Sequence, residues 1–269
     1  FMSSVEQSAK KWWGQWPLAE GQGGRFIISD LRLWVSRFPG EWRIAIDHGD
    51  EPFDATIELD CPGEPVEPPE SADAQRYASK REDDEIDIVP VLADRPVVAR
   101  PEQPFNLLPG DEVRLFITTA VWVRLQVGDP ETTLTEAPIV RSSDTWFGPS
   151  TREGELCYAA KTAARMHLDN VPRRPGRAIT RVNLRNRAED SLPLERISIP
   201  VPALSVFGDE EGQLWTETIT VERGKDGIMT EVKIGKTPPS EAVKPALLAS
   251  PRRPEDRNEL FRALEGIWR

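Results

Sequence analysis

The chain is expected to be an all-β protein: two antiparallel β-sandwich-like units joined near Pro172, with a C-terminal amphipathic helix. A single large sandwich is the alternative. Three observations carry this. First, apolar side chains recur at every second position through most of the body, the spacing of strands with one buried face. Second, the runs are short and are punctuated by Pro and Gly, of which the 269 residues contain 25 and 18, the pattern of an all-β domain. Third, only Glu255 to Trp268 carries a helical stripe, with Leu260, Phe261, Leu264, Ile267 and Trp268 at spacings of three and four.

Residues 1–24 form an aromatic-rich lead-in with Trp12, Trp13 and Trp16 before a Gly-rich joint. Three indoles in so short a segment should not stay in water. They either pack on the body of the protein or offer flat apolar faces to a partner. A first β-domain is expected over 25–172. Phe26 to Ser29, Leu31 to Ser36 and Trp42 to Ile46 read as strands around the turn Phe38-Pro39-Gly40-Glu41, and Ala55 to Leu59 adds a fourth. Residues 62–85 hold four Pro, many acids and almost no aliphatics. Such a stretch buries too little apolar area to offset ordering entropy and is expected to be a mobile loop.

Ile86 to Leu92 and Val97 to Ala99 are expected strands. The central run follows the turn signal Pro109-Gly110-Asp111. From Val113 to Val127 the odd positions are apolar except Thr119, and the even positions are mostly polar. Thr132 to Arg141 is a further strand, and Asp144 to Gly154 a compact loop. Glu155 to Asn170 fits either period, because its alanines favour helix while Leu156, Tyr158, Ala160 and Thr162 alternate.

Pro172 to Gly176, PRRPG, marks the expected boundary of a second β-domain over 173–250. Ala178 to Asn186 alternates with Val182 and Leu184 inward. Apolar parity changes near Arg196, which predicts a bulge. Leu214 to Val221 reads as one strand. Lys225-Asp226-Gly227 is a hairpin signal before Met229 to Ile234. Pro238 to Pro254 reads as a Pro-rich crossing into the terminal segment 251–269.

Ile86 to Arg223, about half the chain, carries RPVVARPEQ (Arg95 to Gln103) with the FNLLPGDEVRLFITTAVWVRL that follows, WFGPSTREGELCYAA (Trp146 to Ala160) and RVNLRNRAEDSLPLERISIPVPALSVF (Arg181 to Phe207). In these segments it resembles an uncharacterised family, the domain of unknown function 432. The resemblance implies strand over helix for Leu156 to Leu168. It brings no activity, cofactor or catalytic residue with it.

The formal net charge of -11 argues against non-specific nucleic-acid binding and against docking on anionic lipid, both of which rest on basic surface. No apolar run approaches the ~20 residues of a membrane helix. Ser3 to Pro17 has no apolar core of a secretory signal, so cytoplasmic placement is expected. Cys61 and Cys157 are too few and too far apart for a disulfide framework and read as free thiols.

Ile234-Gly235-Lys236-Thr237 ends like a phosphate loop, but Thr230 stands where the first Gly is required and Pro238-Pro239 block the following helix. No nucleophile elbow, dinucleotide fingerprint or zincin motif is present. Asp47-His48-Gly49-Asp50 resembles an ordinary turn more than a metal site, so neither metal nor cofactor is expected.

Two basic stripes remain. One runs Arg177, Arg181, Arg185, Arg187 and the other Lys161, Arg165, His167. Guanidinium groups suit carboxylates or phosphates. The plainer reading is cross-strand pairing with Glu and Asp.

Two functions follow. The first is a non-enzymatic binding or interaction module. It would meet a protein partner through Trp12, Trp13, Trp16, Phe261 and Trp268, or a second copy of itself through the C-terminal helix. The second is an enzyme or small-anion site built on Trp146, Arg152, Lys161 and Arg165, with Arg181 and Arg185 as further ligand contacts.

Overall fold

Alternation translates directly into strands, because a residue pair in a strand sends one side chain to the core and the next to water. In the computed structural model, which describes residues 11–80, 82–128, 131–148, 152–226 and 230–253, the protein is all-β. It divides into two units whose chain segments interleave: unit 1 is 1–91, 121–141 and 174–176, and unit 2 is 92–120, 142–173 and 177–269. The sequence predicts one cut near Pro172. Instead the chain changes unit repeatedly, and Arg174 to Gly176 is a three-residue return to unit 1.

Unit 1 holds β1 (Gly14–Pro17), β2 (Gly23–Ile28), β3 (Leu31–Phe38), β4 (Glu41–His48), β5 (Ile57–Asp60), β6 (Asp73–Ala78), β7 (Glu85–Val91), β11 (Trp122–Val127) and β12 (Thr132–Pro138). They form two sheets in the orders β1-β7-β11-β12 and β5-β2-β3-β4-β6. All pairs are antiparallel. Phe26, Ile28, Leu31, Leu33, Val35, Trp42, Ile44, Ile86, Ile88, Val123 and Leu125 are buried, the alternate positions that the pattern selects.

Trp12 and Trp13 are buried too, edge to face with ring centroids 5.6 Å apart. The indole N–H of Trp12 donates to the Pro175 carbonyl at 2.8 Å. These two rings are core, so they present no surface to a partner. Trp16 is half-buried against Phe26.

The acidic stretch 62–85 corrects an expectation. Within it β6 pairs with β4 along Glu41↔Ala78 to Ile46↔Asp73. Five of its six side chains are exposed. Backbone pairing to β4 orders this edge strand without an apolar face.

Unit 2 holds β8 (Val97–Pro101), β9 (Phe105–Leu107), β10 (Glu112–Ala120), β13 (Asp144–Phe147), β14 (Glu155–Ala164), β15 (Arg177–Asn186), β16 (Leu192–Leu194), β17 (Ile197–Ile199), β18 (Val206–Gly208), β19 (Leu214–Trp215), β20 (Ile219–Arg223), β21 (Thr230–Ile234) and β22 (Ala246–Ala249). One sheet runs β21-β20-β15-β19-β18-β22 with β10 on the other side of β15; a second runs β13-β14-β8-β17; β16 and β9 make a two-stranded pair.

These sheets are mixed where purely antiparallel ones were expected. β14 runs parallel to β8, and β15 runs parallel to both β19 and β20. Glu155 to Ala164 is strand, as the family resemblance implies, and only a 3-10 turn follows at Leu168–Asn170. The parity change at Arg196 is not a bulge: β16 pairs with β9 while β17 pairs with β8, in different sheets. The expected strand Leu214 to Val221 is likewise two strands. The Asp144 to Gly154 loop opens with β13, and the Pro-rich crossing contains β22. The helix expected over Glu255 to Trp268, with Phe261 and Trp268, lies outside the described residues.

Candidate functional site

β15 positions the site. Its first four residues, Arg177 to Thr180, are all buried; from Arg181 on, half-buried and buried residues alternate. The change follows from its neighbours. β10 covers one edge along the whole strand, while β19 and β20 divide the other. Arg177 therefore leaves the expected outward stripe. It is 3% exposed, and its guanidinium donates to the carbonyl and hydroxyl of Thr118 at 3.3 and 3.4 Å.

The wet half of β15 faces a cleft of about 540 Å³. The register sets Glu112 opposite Arg185, Arg114 opposite Asn183 and Phe116 opposite Arg181. Met166, His167 and Leu168 close one side, and Glu241 another. Phe116 belongs to a buried cluster with Val171, Ile179, Trp215 and Ala242, on which Leu168 packs.

The arginines here are paired. Arg181 donates to Glu241 at 3.0 Å, and Arg114 lies 3.6 Å from the same carboxylate. Arg185 donates to Glu112 at 3.0 Å and lies 3.8 Å from Glu222, which also meets Arg187 at 3.6 Å. Glu112, Arg185 and Glu222 are register partners across β10, β15 and β20. The stripe is thus one row of an alternating-charge ladder. Most of these groups are substantially solvated, so each pair contributes only about 0–1 kcal/mol. Their larger effect is to fix the direction of each guanidinium.

The residues of the expected cationic pocket are spread along β14. Trp146, on β13, is opposite Leu156. Its carbonyl accepts from Arg196, whose guanidinium lies 5.2 Å from the Phe147 ring centroid. Arg152 is in the exposed loop before β14, and Lys161 is exposed where β14 loses regular pairing with β8. Arg165 lies past the end of β14, bridged to Phe116 through two backbone hydrogen bonds of 2.7 and 3.0 Å. Leu156 and Arg165 are nine residues apart, roughly 30 Å at strand rise. Trp146 and Arg165 therefore do not share one pocket. Arg165 borders a smaller cavity of about 230 Å³ with Phe105, Met166 and His167.

His48 is tied into unit 1, with Nε2 2.7 Å from the Pro138 carbonyl oxygen. Among the described residues no helix is long and apolar enough to cross a membrane. Arg114, Asn183 and Glu241 were missed in the sequence. Arg114 and Asn183 sit at ordinary wet-face positions, and Glu241 reaches the cleft from a loop 60 residues beyond Arg181.

No curated protein and no solved structure matches the chain. A family model described as "Protein of unknown function (DUF432)" matches residues 12–265, nearly the full length, and the chain belongs to that family.

Proposed function

We propose that the chain is a non-enzymatic binding module, built on two sandwich-like β units, that takes a small polar ligand in the cleft over β10 and β15. One observation carries the reading: the arginines bordering the cleft are held in place by carboxylates on β10, β20 and the Glu241 loop. Recognition groups fixed before binding lower the ordering cost of association. Each guanidinium has five N–H donors, more than its glutamate contact uses. Phe116, Met166 and Leu168 supply the apolar side of the cleft. A compound with a carboxylate or phosphate beside a short apolar body fits that lining. A role as accessory subunit of a larger complex is compatible with this reading.

The test is a thermal-shift screen of small carboxylates and phosphates against the chain and an Arg114→Ala/Arg185→Ala variant. A true ligand at a hundredfold over its Kd stabilises by about 2.7 kcal/mol, and the variant should lose at least tenfold in affinity. Equal stabilisation of the variant, or chemical turnover of the bound compound, would refute the reading.

A further inference from the structure

β10 has two edges, and β15 covers one of them from Glu112 to Ala120. In an antiparallel pair, alternate residues turn their N–H and C=O groups toward the partner strand and away from it. Asp111 marks the parity that faces β15, because its carbonyl accepts from the Asn186 N–H at 3.0 Å. Phe116 and Thr118 mark the other parity. Phe116 exchanges both of its backbone bonds with Arg165, and the Thr118 carbonyl accepts from the Thr162 hydroxyl at 2.8 Å. Glu112 and Arg114 share this outward parity. Beyond the bridge between Phe116 and Arg165 the two chains part. A ladder continued by one step would set His167 opposite Arg114. Among the described residues no backbone hydrogen bond reaches Glu112 or Arg114 from that side.

A cavity flanks this open edge on each face of the strand. Arg114 and Phe116 line the cleft of about 540 Å³, and Leu115 lines the smaller cavity of about 230 Å³. Successive side chains of a strand point to opposite faces, so the two cavities belong to opposite faces of one edge. Met166 and His167 border both. Strand addition needs these features together: main-chain groups open along an edge, and pockets for alternate side chains.

The two cavities differ in what they accept. Phe105, Leu115, Ala164 and Met166 give the smaller one apolar surface. In the larger one the Arg114 side chain is 57% exposed and stands 3.6 Å from Glu241. A guanidinium has five donors, so Arg114 can take a second carboxylate. Glu112, two positions away on the same face, is 68% exposed and suits a basic group.

We propose that the open edge of β10 binds an extended peptide as an added antiparallel strand. An acidic side chain sits opposite Arg114, an apolar one before it opposite Leu115, and a basic one two residues after it opposite Glu112. The proposal rests on the reading of the unit 2 cleft as a carboxylate site and names its ligand, a peptide segment of a partner protein.

The experiment is calorimetric titration of the whole chain at low salt with three probes: acetyl-Leu-Glu-Val-Lys-amide, the same peptide N-methylated at its glutamate, and glutarate. The first peptide should bind one to one and at least tenfold tighter than glutarate. N-methylation removes the donor to the Arg114 carbonyl and should weaken binding at least tenfold. Serine in place of the peptide's leucine should weaken it at least threefold, as should Arg114→Ala in the chain. In the complex the Arg114 amide should gain at least tenfold protection from hydrogen exchange. Parental affinity of the N-methylated peptide, no added protection at Arg114, or no saturable binding up to millimolar peptide would overturn strand addition. If glutarate still binds, and loses affinity in Arg114→Ala/Arg185→Ala, the carboxylate cleft outlives that failure. If glutarate does not bind either, or if the peptide binds Arg114→Ala/Arg185→Ala unweakened, both readings fall.

Discussion

Arg76 on β6 donates its Nε–H to Glu41 on β4 at 2.9 Å, and the other oxygen of the same carboxylate accepts from Arg43 at 2.7 Å. Glu41 therefore joins two arginines across the edge of the sheet. Apart from backbone pairing, this is the clearest tie on a strand whose side chains are almost all in water. The hydrogen bonds from Arg76 and then Arg43 lower the Glu41 acid below its ordinary value.

The pH dependence of β6 follows from that direction. A depressed carboxylate contributes stability that is present above its unfolded value, ~4.3, and is lost as pH falls through the lower folded value. The protection of the Asp73–Ala78 amides, relative to their intrinsic exchange, should fall below about pH 4, ahead of that in β3. Glu41→Gln should show the lower protection already at neutral pH. Unchanged protection of β6 in that variant would remove Glu41 from the account.

Asp209 organises the core of unit 2 in a comparable way, now out of water. Its two oxygens accept from the Gln213 backbone N–H at 2.8 Å and from the Trp215 indole N–H at 2.7 Å. Trp215 is 1% exposed and Asp209 8%. Hydrogen bonds to a charged acceptor contribute roughly 1.5–3 kcal/mol, and removing the acceptor leaves buried donors unpaired. Asp209→Ala should lower stability to urea by about 3–4 kcal/mol. Asp209→Asn, which keeps one acceptor, should fall between. A loss under ~1 kcal/mol for the alanine variant would show that water replaces the carboxylate.

Which strands exist was legible where one face is buried and the other wet. Leu31, Leu33 and Val35 against Trp42 and Ile44 is such a case, and so is Leu115 to Leu125. What alternation does not carry is the partner. Nothing local to Val182 or Leu184 says that β20 runs parallel beside them, and nothing near Val121 says that the chain changes unit there. β6 was illegible for another reason: its pairing uses main-chain groups that every sequence has. The candidate cleft was legible only in Arg181, Arg185 and His167. Its carboxylates come from three other segments, and sidedness alone cannot tell a paired arginine from an unpaired one. Gln126 reads as a plain wet-face residue until its burial is seen.

Gly148 and Gly154 stand in close backbone contact between β13 and β14. A Cβ on Gly148 would lie 2.2 Å from the Glu153 carbonyl oxygen, and one on Gly154 2.6 Å from the Phe147 carbonyl oxygen. These are backbone contacts, so no side chain can swing away. Gly154 also has φ of +154°, where L-residues are rare. The two residues close the β13–β14 connection by direct backbone approach. Gly154→Ala should cost about 2 kcal/mol or more and should disturb the amide resonances of Trp146 and Phe147. A stable variant with unchanged resonances would mean that the loop has another conformation of similar energy.

The two cysteines differ in a way that a thiol reagent can read. Cys61 is exposed, whereas Cys157 is buried with Val98 and Phe147. Burial first, and the Glu155 carboxylate second, push the Cys157 thiol up to about 12. Burial, with Asp60 adding, also raises Cys61. Only the thiolate attacks a disulfide reagent. At pH 8 the Cys157 thiolate fraction is on the order of one in ten thousand, from its distance to 12. The native chain should therefore release about one equivalent of thionitrobenzoate from Ellman's reagent, and Cys61→Ser almost none. In denaturant the parent should release two, one for each cysteine. A folded Cys61→Ser chain that reacts promptly would mean that β14 opens often enough to expose Cys157. Amide exchange at Leu156 and Tyr158 should then be fast as well, so the two measurements together decide whether this strand is fixed core or a transiently open edge.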